Sequence, residues 1–289
     1  MKISIIIVTY NSQDTIEECL ASCIDQPDCE IIVVDNASID NTRELVTKYR
    51  QVRLIKEEKN LGYNGGNASG IEASNAEILI FLNPDSVLPN GFSNRVVTLF
   101  GRDTSLSILG FRMVHSDGSL QRTGNNFPTM RSLLYEHSTY RKVFPKSAAF
   151  KRYIIYDWDR SSSREVDAVS GACMGIRRSA LEVAGGIDTS YFLFFEEFDL
   201  SRKIKGAGSK VYFDAETSVT HQSGSSTKKV VNDVIAKYYR QSRDRYIYKY
   251  HGRLFLLCFK ILIITFNLVS KPIEILRWFQ ATPVGKIER

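Results

Sequence analysis

Four apolar runs recur at regular intervals along the first hundred residues: 2–8 (KISIIIV), 30–34 (EIIVV), 52–56 (VRLIK) and 77–82 (EILIFL). They are short and rich in β-branched residues, and the most apolar are continuous rather than alternating, which predicts strands of a sheet covered on both faces. Helical spacing fills the intervals. Ile16, Leu20, Cys23 and Ile24 keep helix period after Asn11 and Ser12, and Leu45, Val46 and Tyr49 do so after Asn41, with Glu44 three residues on. A third helix is predicted over about 66–75. This order predicts an α/β fold with right-handed crossovers and a mostly parallel sheet, so that every strand ends on one rim, where ligands of such folds bind.

Each run ends in polar residues suited to that rim. They are Thr9, Tyr10 and Asn11; Asp35, Asn36 and Ser38; the glycine-rich stretch from Asn60 to Asn67 (NLGYNGGN); and Asn83, Pro84 and Asp85. Taken singly, such residues are ordinary turn formers. Four sets on one edge point to a ligand. The first turn has no glycine, which disfavours a dinucleotide fingerprint, and no G-x-x-x-x-G-K-[ST] occurs, which excludes a P-loop phosphotransferase. What fits is a nucleotide held by side chains such as Asp35, accepting from a base imide or ribose hydroxyl, with the glycine-rich stretch as a flexible loop for close backbone approach. Asp85, at the mouth of the buried run ILIFL, then faces the phosphates. Two anions repel unless a hard divalent cation sits between them, so Mg2+ or Mn2+ is expected there.

Composition narrows the class. At 289 residues, 43% hydrophobic and 24% charged, the chain can bury a large core and reads as globular. Its five cysteines are scattered without a paired C-x-x-C, against a disulfide framework or a zinc knuckle, and suit a reducing compartment. The start MKISIIIVTYNS has too short an apolar core and no cleavage site for an export signal, so it reads as a first strand. Charge is local. Eight Lys/Arg against two Asp between Lys228 and Arg253 give that segment +6, the net charge of the whole chain. The run 254–269 that follows (LFLLCFKILIITFNLV) is interrupted by Lys260 and short of the roughly 20 apolar residues that span a bilayer. With Trp278 and Phe279 beyond Pro272, it suits an interfacial anchor on an anionic leaflet; the alternative is a helical hairpin packed on the core or forming a homodimer contact. No nucleic-acid module is present, and no nucleic-acid partner is expected.

A second acidic cluster, Glu196, Glu197 and Asp199, opens an amphipathic run that ends near Gly206. Acids in a first helical turn favour the helix dipole. Yet YFLFF precedes them, and two glutamates among such side chains should have raised proton affinity, as suits a general base. The run VSGACMGIRR (169–178) is predicted to be a strand whose Gly171 and Ala172 either admit a sugar or serve close packing. Residues 118–164 show no clear period and are expected to form an acceptor loop or lid. Asp157 and Asp159 form a D-x-D by spacing, but in a loop rather than beneath a buried strand, and are not assigned to a metal.

The motifs IIIVTYNS, IIVVDNAS, NLGYNGGNASG, FLNPDS, VSGACMGIRRSALEVAGGID, YFLFFEEFDLSRKIKGAG and VTHQSGSS, in this order, resemble the glycosyltransferases of the GT-A fold, family 2, and within it the rhamnosyltransferase-like branch. The resemblance covers about residues 2–226 and implies a Rossmann-like GT-A domain over 1–226, with 227–289 as a basic and apolar helical extension. It implies an inverting transfer of a sugar, a deoxyhexose such as rhamnose foremost, from a dTDP- or UDP-sugar to a lipid-linked saccharide. The product would be a surface polysaccharide of O-antigen type, made at the cytoplasmic membrane face. Galactofuranose, GlcNAc and glucose donors, a noncatalytic nucleotide-sugar scaffold and, more remotely, a glycoside hydrolase are the alternatives. By the resemblance, Thr9, Tyr10, Asn11, Asp35, Asn36, Asn60, Gly62, Asn64, Gly65 and Asn67 hold the nucleoside. Asp85 and His221 hold the metal, Asn83 stands where many members have a first acid, Glu197 or Glu196 is the base, and Asp199 orients it.

Overall fold

The computed structural model describes residues 1–222 and 232–268. The residues beyond Gln222 in VTHQSGSS, Lys228 and Lys229, and Trp278 with Phe279 lie outside the described residues. The predicted strands form as β1 (Ile3–Thr9), β2 (Cys29–Asp35), β3 (Val52–Lys56) and β4 (Ile78–Leu82), separated by α1 (Ile16–Ile24), α2 (Thr42–Thr47) and α3 (Gly62–Ala73). β1 pairs in parallel with β2 and β4, and β2 with β3. Both β1 and β4 are buried along their whole length. Ile5 and Ile7 pack with Ile16, Leu20 and Cys23 of α1, whereas Ile6 enters the opposite layer with Ile32 and Val34. A strand between two helical layers has no wet face, which is why its sequence does not alternate.

The rest of the sheet is mixed. After β5 (Ser86–Val87) and α4 (Phe92–Arg102) come β6 (Leu106–Val114), β7 (Leu120–Gln121), α5 (Met130–His137), α6 (Tyr140–Val143), α7 (Ala148–Tyr153), β8 (Arg164–Glu165), β9 (Cys173–Arg177), α8 (Arg178–Val183), α9 (Glu196–Gly206), β10 (Lys210–His221) and α10 (Asn232–Asn267). The main strand order is β3-β2-β1-β4-β9-β6-β10-β5. β9 runs antiparallel to both β4 and β6, and β10 is parallel to β6. Of the predicted strand 169–178, only Cys173–Arg177 is strand.

The stretch expected as a flexible glycine-rich loop is instead the start of α3. A Cβ at Gly66 would lie 2.5 Å from Val8 Cγ1, so the missing side chain lets the helix rest on β1. Residues 118–164 are likewise more ordered than their pattern suggests. Thr129 and Ser132 form a capping box at the start of α5, and Leu133, Leu134 and Tyr153 join a buried cluster with α9 and α10. The wholly buried Arg160 donates to the carbonyls of Thr123, Gly124, Ile154, Ile155 and Trp158, binding the segment together. Helices of four to eight residues are too short to show a helical period.

The apolar run at 254 is the second half of α10, which bends at Gly252 (φ 84°, ψ 173°). Part of the basic charge before the bend is turned inward: Arg243 pairs with Asp244, Arg245 and Lys249 with Asp188, and Lys249 also with Asp199 at 2.7 Å. Beyond the bend, Lys260 reaches the same Asp244. No helix among the described residues is long and apolar enough to cross a membrane.

Candidate active site

The two-residue strand β5 decides the geometry of the rim. It leaves the loop after β4 and pairs antiparallel with the end of β10, setting His221 opposite Ser86 and Thr220 opposite Val87. The Gln222 amide donates to the Asp85 carbonyl at 3.0 Å, closing the same corner. As a result His221 Nε2 lies 3.3 Å from Asp85 Oδ1, with Asp85 only 5% exposed. Asn83 Nδ2 also reaches His221 Nε2 at 3.3 Å. On the other side of the ring, His221 Nδ1 is 2.9 Å from Gln121 Oε1, and Gln121 Nε2 donates to the His221 carbonyl. An amide oxygen at Nδ1 takes a proton from it, which turns Nε2 toward Asp85 Oδ1 and Asn83 Nδ2. A carboxylate oxygen and an imidazole nitrogen thus meet at one corner, a pair that fits a cation when the ring is neutral. Orientation of a ligating histidine through its second nitrogen is the usual arrangement at metal sites.

Asp85 and His221 open onto a cavity of about 530 Å³. Its polar wall comes from Thr9, Tyr10, Asn36, Asn60, Gly62, Tyr63 and Asn83. Facing them are Phe192, Leu193 and Phe194, with Val234, Ile235 and Tyr238 from the first turns of α10. Tyr238 stacks on Phe192 with ring centroids 4.2 Å apart. Gly62 joins the two walls: its φ is +76°, and a Cβ there would meet the Phe192 carbonyl at 2.4 Å, where Tyr63 N donates at 2.8 Å. Among the described residues no group of three or more His, Cys, Asp or Glu is arranged to hold a metal. An ion at Asp85 and His221 would therefore complete its roughly six ligands from phosphate oxygens and water.

Several expected residues stand behind this surface rather than on it. Asp35 is fully buried and accepts from Thr9 Oγ1, Ser38 N and Arg43 Nε, the last at 2.5 Å. Asn11, at φ 53°, ties the first turn to the second through Ser38 and Ile39. Asn64 anchors α3 to the Asp188 carbonyl, Asn67 donates to the Tyr63 carbonyl one turn back in the same helix, and Gly65 packs on Leu61. Asp159 accepts from both the amide and the hydroxyl of Ser161 in an exposed turn.

The glutamates are presented by an unusual backbone. Phe194 and Phe195 both have left-handed φ, 71° and 65°, a costly pair for non-glycine residues and of the kind that clusters at functional sites. Phe195 is held by Phe198, Tyr239 and Tyr246. Glu196 and Glu197 follow at the first turn of α9. Both residues keep some surface exposure, yet their carboxyl groups lie deep, and Glu196 Oε2 is buried with no hydrogen-bond partner among the described residues. Burial, then the neighbouring Glu197 charge, pushes the Glu196 carboxyl well above its ordinary range. Burial likewise pushes Glu197 up to about 7, against the backbone amides that favour its ionised form. Tyr63 lines the cavity, and its hydroxyl donates to the Gly171 carbonyl beside Glu196. The glutamates themselves are not among the cavity's lining residues. Asp199 is turned to the C-terminal helix, accepting from the Tyr250 and Tyr191 hydroxyls and pairing with Lys249. Tyr63 belongs to the Asn60–Asn67 stretch expected at the ligand, whereas no sequence pattern announces Gln121 or the α10 wall, and YFLFF by its composition marks only an apolar setting for the acids.

Residues 4–184 match the family Glycosyl transferase family 2. The chain belongs to this family. Among curated proteins it is similar to the N-acetylglucosaminyl-diphospho-decaprenol L-rhamnosyltransferase of Mycobacterium tuberculosis, at 27% identity over 243 residues, covering 77% of this chain and 76% of the relative. Its fold is that of solved GT-A structures. The S. aureus TarS fragment 1–349 aligns with a TM-score of 0.58 and 17% identity, covering 98% of this chain and 81% of that one. A mannosyltransferase from Pyrobaculum calidifontis in complex with GDP-Man and Mn2+ aligns at 0.57 and 16%, covering 97% and 73%. Family 2 membership thus makes the chain a glycosyltransferase.

Proposed function

We propose that this family 2 protein is a metal-assisted, inverting transferase that moves a deoxyhexose, rhamnose foremost, from a dTDP- or UDP-sugar to a lipid-linked saccharide at the inner face of the membrane. The observation that carries the reading is the convergence of Asp85 Oδ1 and His221 Nε2 inside a cavity of nucleotide-sugar size, with polar groups from the ends of four strands around it. The rhamnosyl donor and lipid-linked acceptor follow the name of the mycobacterial relative, and the cation accords with the Mn2+ complex of the mannosyltransferase.

Thr9, Tyr10, Asn36 and Asn60 would hold the nucleoside, with Asp35 and Arg43 fixing the turns behind them. Asp85 and His221 would hold the ion; when bound, it offsets charge growing on the nucleoside diphosphate leaving group. A carboxylate with an imidazole suits Mn2+ better than Mg2+. Glu197 removes the proton of the acceptor hydroxyl as the new bond forms on the face opposite the leaving group, which inverts the anomeric centre. Glu196, held neutral by its surroundings, leaves Glu197 as the one of the pair that ionises near neutrality. Asp199, three residues on, fixes α9 against α10.

A donor panel tests the reading. With Mn2+ and a short-chain GlcNAc-diphospho-lipid acceptor, transfer is expected to be fastest from dTDP-rhamnose, with an inverted linkage by NMR. Absence of turnover from every donor would favour the scaffold alternative. The base has a pH signature as well. Because Glu197 works ionised, kcat should rise through about pH 7 and level off above it. Its raised proton affinity also couples to stability: the contribution is present below the ordinary value of 4.5 and is lost as pH climbs through about 7. Thermal melts of Glu197→Gln should therefore gain on the native chain across that window.

A further inference from the structure

Beyond the bend at Gly252, α10 shows two opposite apolar faces. Leu256, Phe259 and Ile263 are buried against the α5 layer, while Leu254 (74% exposed), Leu257, Cys258, Ile261 and Leu268 face outward at helical spacing. From 252 to 268 the chain has no acidic residue. The end of this helix touches α6: Thr139 N donates to Asn267 Oδ1 at 3.0 Å, and Tyr140 packs edge-on to Phe266. There α6 and α7 add exposed Arg141, Lys142, Phe144, Lys146, Lys151 and Arg152, five cations in residues 138–152 with no acid among them.

We propose that the outer stripe of α10 and the basic edge of α6 and α7 together form a docking face for an anionic lipid bilayer. The inference sharpens the membrane-surface reading above, on which it rests, and moves the electrostatic contact from residues 228–253 to residues 141–152. Charge complementarity selects the occupant. A second copy would bring two acid-free cationic edges toward each other, whereas an anionic leaflet attracts them and takes up leucine and isoleucine side chains. Among the described residues the helix is not long and apolar enough to cross a membrane, and the proposal lays its outer stripe in the surface. Its other end, at Val234, Ile235 and Tyr238, lines the cavity, so the same helix would bring the cavity's apolar wall toward the layer that holds a lipid-linked acceptor.

Sedimentation of the full chain with vesicles of phosphatidylcholine, with and without phosphatidylglycerol, tests this. Binding is expected to need the anionic lipid. Each surface cation gives about a fivefold factor, so Arg141→Gln with Lys142→Gln should weaken binding about 30-fold, while Lys237→Gln on the first half of α10 changes it less than about twofold. Leu257→Glu with Ile261→Glu should weaken it at least as much, with nucleotide binding unchanged as the check on folding. Binding indifferent to phosphatidylglycerol, or unaffected by both double variants, overturns the proposal. So does a dimer, seen by analytical ultracentrifugation, that the Leu257/Ile261 pair dissolves while vesicle binding persists. Vesicle binding that follows these variants supports the face even where the donor panel shows no turnover, in which case only the transferase reading fails.

Discussion

Glu197→Gln is expected to lower kcat by about 10²- to 10⁴-fold while nucleotide affinity stays within about twofold of the native protein, the range that loss of a general base produces. The amide keeps the shape of the side chain and removes the lone pair that takes the proton. Since burial and not an ion pair raises the Glu197 carboxyl, no salt bridge is broken and α9 should keep its place. Glu197→Asp is the more delicate variant. It restores the carboxylate but withdraws it by about one bond length, a displacement that can cost about 100-fold. Stopped-flow or steady-state kinetics with a soluble acceptor, set against fluorescence titration of the nucleotide, separates the two quantities. A Glu196→Gln variant that loses more turnover than Glu197→Gln would exchange the roles of the pair.

Asp85→Asn should be as damaging by a different route. The variant preserves the 3.3 Å approach to His221 in outline but replaces a full charge with a neutral amide at the only carboxylate of the pair. Mn2+-dependent nucleotide affinity is expected to fall about 100-fold or more, and kcat/KM about 10³-fold, because the growing pyrophosphate charge loses several kcal/mol of stabilisation. Isothermal titration of the nucleotide with and without Mn2+ reads this directly: the native protein shows metal-dependent affinity and the variant shows little. Equal metal dependence in both would place the ion elsewhere.

How far the sequence led depends on the distance over which each feature is encoded. The four parallel strands and the three helices between them were legible because each is a local pattern several residues long, buried on a known face. Asp85 was legible from one anomaly, a carboxylate at the end of a fully buried strand. Its pairing with His221 entered through family resemblance alone, since the contact depends on β5, two residues long, whose register with β10 no local pattern announces. The glycine-rich motif misled for a physical reason: glycine serves both loops and close helix packing, and here Gly66 brings α3 onto β1. Asp35 shows a related ambiguity. A buried acid after a strand can face a ligand or hold its own fold, and Arg43, eight residues on, takes its carboxylate. The charge of the C-terminal helix was visible as a sum, but its direction was not, because Asp188 and Asp199 lie on a distant part of the chain and draw Arg245 and Lys249 inward.

The most direct test of the account is an anomalous-scattering map from crystals soaked with Mn2+ and a nucleoside diphosphate. A peak about 2.0–2.4 Å from an Asp85 carboxylate oxygen and from His221 Nε2, with the diphosphate bridging it over the Thr9 and Asn36 rim, is the result predicted here. A peak at Asp157 and Asp159, or a nucleotide bound with no metal within reach of Asp85, would contradict it.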